Sequence, residues 1–186
     1  MTTTPEKAKH SSDSETLLAI LEKQRKAHFN DGSVSLEKRR DRLNRLIALT
    51  CENADAIADA IGEDYGGARS RHTTLATEVV AKIHGMEYAR DHLEEWTKPE
   101  SREPNELPRK AGATSFVLYQ PKGVVGLISP WNMPFGLTVS PLTSVLAAGN
   151  RAMIKLSEFT PILGVLMQRL VRDYFSEDEI AVILGG

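Results

Sequence analysis

The stretch "GVVGLISPWNMPFG" (residues 123–136) begins as an apolar run and then breaks into Pro130, Trp131, Asn132, Met133 and Pro134. The run "GVVGLIS" is short, continuously apolar and bounded by turn residues, the pattern of a strand covered on both faces in a parallel sheet. Ligands of an open α/β sheet bind outside the carboxyl ends of its strands. Chemistry is therefore expected just after this run, where prolines fence a tryptophan and a primary amide.

Downstream, Leu137 to Ala148 fits a helix stopped by Gly149 and Asn150, and "RAMIK" (151–155) fits a second short strand. Thr160 and Pro161 have the character of an N-cap and first-turn proline for "PILGVLMQRLVRDYF", and Ser176 with Glu179 has capping-box spacing for a last helical turn before "AVILGG". Upstream the apolar period is helical. A first helix is predicted from Asp13 or Ser14 through Phe29, a second is capped by Ser35, a third is capped by Asn53 and stopped by Gly66 and Gly67, and a long fourth carries Leu75, Val79, Ile83, Met86, Leu93 and Trp96. Between the two halves, "SREPNELPRKAG" (101–112) reads as a connecting arm, and residues 114–120 as an edge or bridging strand.

The predicted fold class is α/β, a helical start followed by a partial Rossmann-like parallel sheet with a bridging strand arm. The expected divisions are a flexible tail over 1–13, a helical part over 14–102, the arm over 103–121 and the first part of the sheet over 122–186.

Composition narrows the function. The chain has 186 residues, 41% hydrophobic and 26% charged, with a net charge of −2. Nothing in that balance offers an electrostatic footprint for nucleic acid or acidic lipid. Cys51 is the one cysteine, which fits a reducing compartment, and no apolar run is long enough for a signal peptide core or a membrane span. A cytoplasmic protein is expected. The five histidines are scattered without carboxylate partners, so no metal site is predicted.

Each polar residue at the sheet edge has two readings. The Asn132 amide can donate to an oxyanion or simply cap a turn. Trp131 can wall a flat ligand or pack in the core. Lys155 and Glu158 can clamp the neighbouring hydroxyls of a ribose or form an exposed ion pair. No G-x-G-x-x-G turn accompanies them. Cys51, late in an amphipathic helix, suits packing as a small hydrophobe better than attack.

Residues 121–161, "PKGVVGLISPWNMPFGLTVSPLTSVLAAGNRAMIKLSEFTP", resemble the NAD(P)-dependent aldehyde dehydrogenase superfamily in register through PWN, AAGN and K-x-S-E-x-T-P. The similarity extends over nearly all of residues 16–184, and within the superfamily the chain looks like the bacterial coniferyl aldehyde dehydrogenases, which oxidise an aromatic propenal to its acid. The resemblance implies a variant Rossmann domain that binds NAD without the glycine fingerprint. It implies that Asn132 is the side-chain half of an oxyanion hole, that Lys155 and Glu158 hold the adenosine ribose, and that Ile128, Ser129 and Trp131 line the cofactor cleft. Met133 and Leu137 would face the substrate tunnel. Glu158 disfavours a 2′-phosphate by charge, so NAD is preferred to NADP.

The partners so implied are a small-molecule aldehyde and further copies of the chain, as a dimer or tetramer. Leu156 stands where the family usually has proline. The family's nucleophilic cysteine and catalytic glutamate belong to segments after residue 186, so an N-terminal fragment, inactive alone, is expected. The alternative is a non-catalytic nucleotide-binding or oligomerisation module.

Overall fold

The structure, a computed structural model, describes residues 5–185, with side chains described from residue 14. Helix α1 spans Pro5–Asp31 and so begins ahead of the predicted Asp13–Ser14 start. Proline suits a first helical turn, where its preset φ helps and its missing N–H has no intrahelical partner to lose. Of the tail expected over 1–13, the first four residues lie outside the described residues. Gly32, at φ +60°, ends α1.

Helix α2 (Leu36–Glu52) starts at Ser35, whose Oγ accepts the Lys38 N–H at 3.2 Å, as predicted. Helix α3 (Ala54–Asp64) starts at Asn53, but that side chain turns back and donates to the Leu49 carbonyl instead of capping. The long fourth helix is composite. It runs as α4 (Arg71–Thr74), a π-helical turn over Leu75–Val80 and α5 (Ala81–Trp96). A π turn inserts an extra residue per turn and re-aims the side chains beside it.

Strand β1 (Glu100–Arg102), just ahead of the expected arm, pairs antiparallel with β2 (Ser115–Val117) inside it, and a short α6 (Glu106–Lys110) lies between them. Phe116, Leu118 and Tyr119 are all exposed, which is why their alternation chose no inner face. The main sheet is parallel, in the order β3 (Val124–Ile128), β4 (Arg151–Lys155), β5 (Ile180–Ile183), linked through α7 (Gly136–Ala147) and α8 (Pro161–Tyr174). The expected capping box before β5 is a turn, with the Glu179 N–H donating to the Ser176 carbonyl at 2.9 Å, and its acidic member serves elsewhere.

Strand β3 departs from prediction. It has β4 as its one hydrogen-bonded neighbour in the sheet, and Gly126 and Ile128 are exposed. A continuous apolar run cannot by itself distinguish an edge strand from a central one.

The core lies between the sheet and the helical layer. Leu43, Leu46 and Leu49 of α2, Ile57 and Ile61 of α3 and Leu93 of α5 meet Val139, Leu142 and Leu146 of α7 and Ile154 of β4, all without exposed surface. Each such side chain contributes on the order of 2 kcal/mol by leaving water. Packing α7 against both α2 and α5 anchors the start of α7, and with it the break after β3.

Candidate active-site edge

Ile128 and Lys155 are register partners at the last rung of β3 and β4, and the Ser129 N–H extends the ladder by donating to the Lys155 carbonyl at 3.0 Å. This pairing sets residues 129–132 beside residues 155–158 at the carboxyl edge of the sheet, where a ligand of such a fold binds. Ile128 is 87% exposed and Trp131 54%, so both present apolar surface at this edge. Trp131 is therefore not core packing. Asn132 is exposed, Met133 half-buried and Leu137 exposed. Ser129 differs from the rest: it is buried, its Oγ 2.7 Å from that of Thr138, so its side chain faces inward, away from the cleft.

The backbone around Asn132 is held from the helical layer. Tyr65, at the end of α3, donates its hydroxyl to the Trp131 carbonyl. Arg69 lies 5.0 Å over the Tyr65 ring, donates from Nη1 to the Asn132 carbonyl at 2.9 Å and pairs from Nη2 with Glu78 Oε1 at 2.6 Å. Glu78, fully buried in the π turn, accepts the N–H groups of Phe135 and Gly136 on Oε2, both at 3.0 Å. A buried carboxylate is tolerated only when donors and opposite charge replace its water; here two N–H groups bond Oε2 and the Arg69 charge lies against Oε1. Among the described residues the Asn132 carboxamide itself has no hydrogen-bond partner, so it caps no turn.

Lys155 and Glu158 pair at 2.8 Å. The hydrogen bond from Lys155 holds the Glu158 carboxyl below its ordinary range, with a smaller contribution from a backbone N–H. Leu156 between them is buried, so packing anchors this turn.

A further carboxylate, Asp64, does for α8 what Glu78 does for α7. Asp64 accepts the Ile162 and Leu163 N–H groups at 2.9 Å each, capping α8, and Glu78 caps α7. Thr160, the predicted cap of α8, turns its hydroxyl back to the Ser157 carbonyl. The helix N-termini that would bind phosphate in a glycine-fingerprint domain are thus filled by the chain's own negative charges. Asp64, Arg69 and Glu78 escaped the sequence reading; the one available signal was a glutamate adjoining the apolar stripe of Leu75 and Val79.

Cys51 is exposed rather than packed, and partial burial of the thiol, with Glu87 and Glu52 nearby, pushes its pKa up, opposite to what a nucleophile needs. No group of three His, Cys, Asp or Glu side chains able to hold a metal occurs among the described residues. Among those residues, too, no helix is long and apolar enough to cross a membrane.

Parallel sheet, helical layer and carboxylate-capped helices define a Rossmann-like α/β domain without a glycine-rich phosphate turn. The chain matches the Aldehyde dehydrogenase family over residues 3–186 and belongs to that family. It is 46% identical over 168 residues to a probable coniferyl aldehyde dehydrogenase of Caulobacter vibrioides, covering 90% of this chain and 34% of that protein. Over 171 residues it is 42% identical to a coniferyl aldehyde dehydrogenase of a Pseudomonas species, covering 92% and 34%. Among solved structures, substrate-bound Staphylococcus aureus AldH superposes with a TM-score of 0.85 at 27% identity, over 91% of this chain and 36% of that one. The chain spans about a third of the length of the relatives it matches.

Proposed function

We propose that this chain is the cofactor-facing part of an aldehyde dehydrogenase that oxidises a coniferyl-type aromatic aldehyde to its acid with NAD, and that Asn132 donates to the oxyanion formed on the way. The single observation that carries this reading is Asn132 itself: its backbone is anchored on both sides while its carboxamide stands free at the carboxyl edge of a parallel sheet. A preorganised neutral donor that is not already bonded suits an oxyanion that forms and collapses.

The roles follow from the chemistry. NAD accepts the hydride when bound. Lys155 donates to and Glu158 accepts from the adenosine ribose hydroxyls, while the negative charge of Glu158 repels a 2′-phosphate and so favours NAD over NADP. Ile128 and Trp131 supply apolar walls for the cofactor, Ser129 contributes through its backbone, and Met133 and Leu137 face the aldehyde. Cys51 sits in α2 with a raised pKa and does not suit the role of attacking thiolate; in this reading that thiolate and the glutamate that activates water belong to the two thirds of the relatives' length that this chain does not span. In this reading residues 14–102 and 122–186 build the cofactor domain, and residues 103–121, with exposed Phe116, Leu118 and Tyr119, form an arm that joins copies of a cytoplasmic oligomer.

The test is calorimetric titration of NAD and NADP into the chain, together with coniferaldehyde oxidation by the protein in which the chain continues into its catalytic segment. NAD binding that Glu158→Ala abolishes, together with turnover by the longer protein, supports the proposal. Binding without turnover by the longer protein would mark a nucleotide-binding module instead.

A further inference from the structure

We infer that Arg69 and Glu78 are positioning residues that aim the Asn132 carboxamide from the helical layer. The inference rests on the reading of Asn132 as the oxyanion donor, and its geometric part stands by itself.

A side chain leaves the backbone along its Cα–Cβ bond, and that direction is set by the two peptide planes on either side. At Asn132 both planes are held. The Trp131 carbonyl marks the preceding plane and accepts from Tyr65; the Asn132 carbonyl marks the following plane and accepts from Arg69. With φ and ψ restrained, only the two side-chain torsions remain free to direct the amide. Proline at 130 and 134 narrows the flanking backbone further.

Arg69 alone would be a poor clamp, because a long side chain loses rotamer freedom in holding one carbonyl. Glu78 removes that freedom. Its Oε1 forms an ion pair with the second guanidinium nitrogen at 2.6 Å, and its Oε2 accepts the N–H groups of Phe135 and Gly136 at 3.0 Å. One buried carboxylate therefore ties Arg69 to the first residues of α7, closing a loop of contacts around Trp131 to Gly136. Glu78 also packs against the start of α7: a Cβ on Gly136 would lie 3.4 Å from Glu78 Cγ. Glu78 lies in the π turn over Leu75–Val80, beside Val79, which is in the core.

Arginine is required rather than a cation in general, since one planar fork reaches the carbonyl and the carboxylate together and a lysine reaches one of them. An error of about 1 Å in placing a catalytic group lowers rate by about a hundredfold.

The experiment has two arms. In the first, hydrogen exchange is followed across residues 131–137 of the chain carrying Arg69→Lys or Glu78→Gln, with melting temperature as the folding control. Exchange at Phe135 and Gly136 faster by about tenfold or more, with the protein still folded, is the expected result; exchange as slow as in the parent would overturn the latch.

In the second arm, kcat and KM are measured for the longer, catalytically complete protein in a cycle of Arg69→Lys, Asn132→Ala and both. Arg69→Lys is expected to lower kcat roughly ten- to a hundredfold with KM for NAD unchanged, and to add no further loss once Asn132 is alanine. Losses that multiply instead would show that Arg69 acts apart from Asn132 and would overturn the positioning role. If Asn132→Ala alone leaves kcat unchanged, the oxyanion reading fails, and the exchange arm decides the latch by itself.

Discussion

Glu179, in the turn before β5, accepts from Arg42 Nε at 2.9 Å and from Arg45 Nη1 at 2.8 Å, tying the end of the parallel sheet to α2. The Arg42 side chain has no exposed surface, and nearby Arg151 pairs with both Asp31 and Asp178. This network joins α1, α2 and β4 below the core. Burial alone would push Glu179 up, but the hydrogen bonds and charges of Arg45 and Arg42 prevail and hold its carboxyl at about 2.

That depression gives a pH dependence with a definite sign. A carboxyl whose folded pKa lies below its unfolded value stabilises the fold above the unfolded value and loses that contribution as pH falls toward the folded one. Asp31 and Asp178 are shifted in the same direction. Stability is expected to hold down to the ordinary Glu179 value of 4.5 and then to fall steeply toward about 2, with roughly 2–3 kcal/mol traceable to Glu179 after allowance for its solvent contact. Urea midpoints across that range in the parent and in Glu179→Gln measure it; parallel curves would refute the assignment.

At neutral pH the same network separates buried from exposed charge. Glu179→Gln removes the carboxylate bonded to Arg42 Nε, leaving the buried guanidinium the longer contact with Asp31 at 3.9 Å, and should cost roughly 3–5 kcal/mol. Glu177→Gln breaks only the exposed pair with Lys23 and should cost less than about 1 kcal/mol. Chemical denaturation of the two variants side by side makes the comparison.

The "AAGN" segment has a structural role that its composition hides. Gly149 takes φ +85°, and the buried Asn150 turns its Oδ1 back to accept the Lys122 N–H at 2.6 Å and the Gly123 N–H at 2.9 Å, fixing the entry to β3. Asn150→Ala leaves those N–H groups without their acceptor and should lower stability by roughly 1–3 kcal/mol, read as a shift in melting temperature.

For the cofactor, Glu158→Gln removes the charge expected to repel a 2′-phosphate while keeping a hydrogen-bonding group. Its ratio of NADP to NAD affinity should rise about tenfold or more over the parent. An unchanged ratio in titrations of both cofactors would show that Glu158 does not face the ribose.

The sequence exposed what is local and left hidden what is distant. The strands around Val124 and Met153, the helix between them and the polar break at Trp131–Asn132 could be read because apolar runs and turn residues sit next to one another in the chain. Asn132 and the Lys155–Glu158 pair were drawn together by the position of strand ends. Other features depend on contacts across the fold. Whether β3 is central or at an edge depends on neighbours its own residues do not encode. Asp64 at α8, Glu78 at α7 and Arg69 at the Asn132 carbonyl act on segments remote in the chain, and the π turn follows no period in composition. Ser35 caps α2 as its chemistry suggests, whereas Asn53 turns back to the Leu49 carbonyl and Thr160 yields to a carboxylate brought in by tertiary packing.

The central claim is that a free, anchored Asn132 carboxamide stabilises the oxyanion of an aldehyde dehydrogenase. The most direct measurement is kcat for coniferaldehyde with NAD in the catalytically complete protein carrying Asn132→Ala, with NAD affinity measured alongside. A loss of about a hundred- to a thousandfold in kcat at unchanged NAD affinity is predicted, and parent-like turnover by that variant would contradict the account.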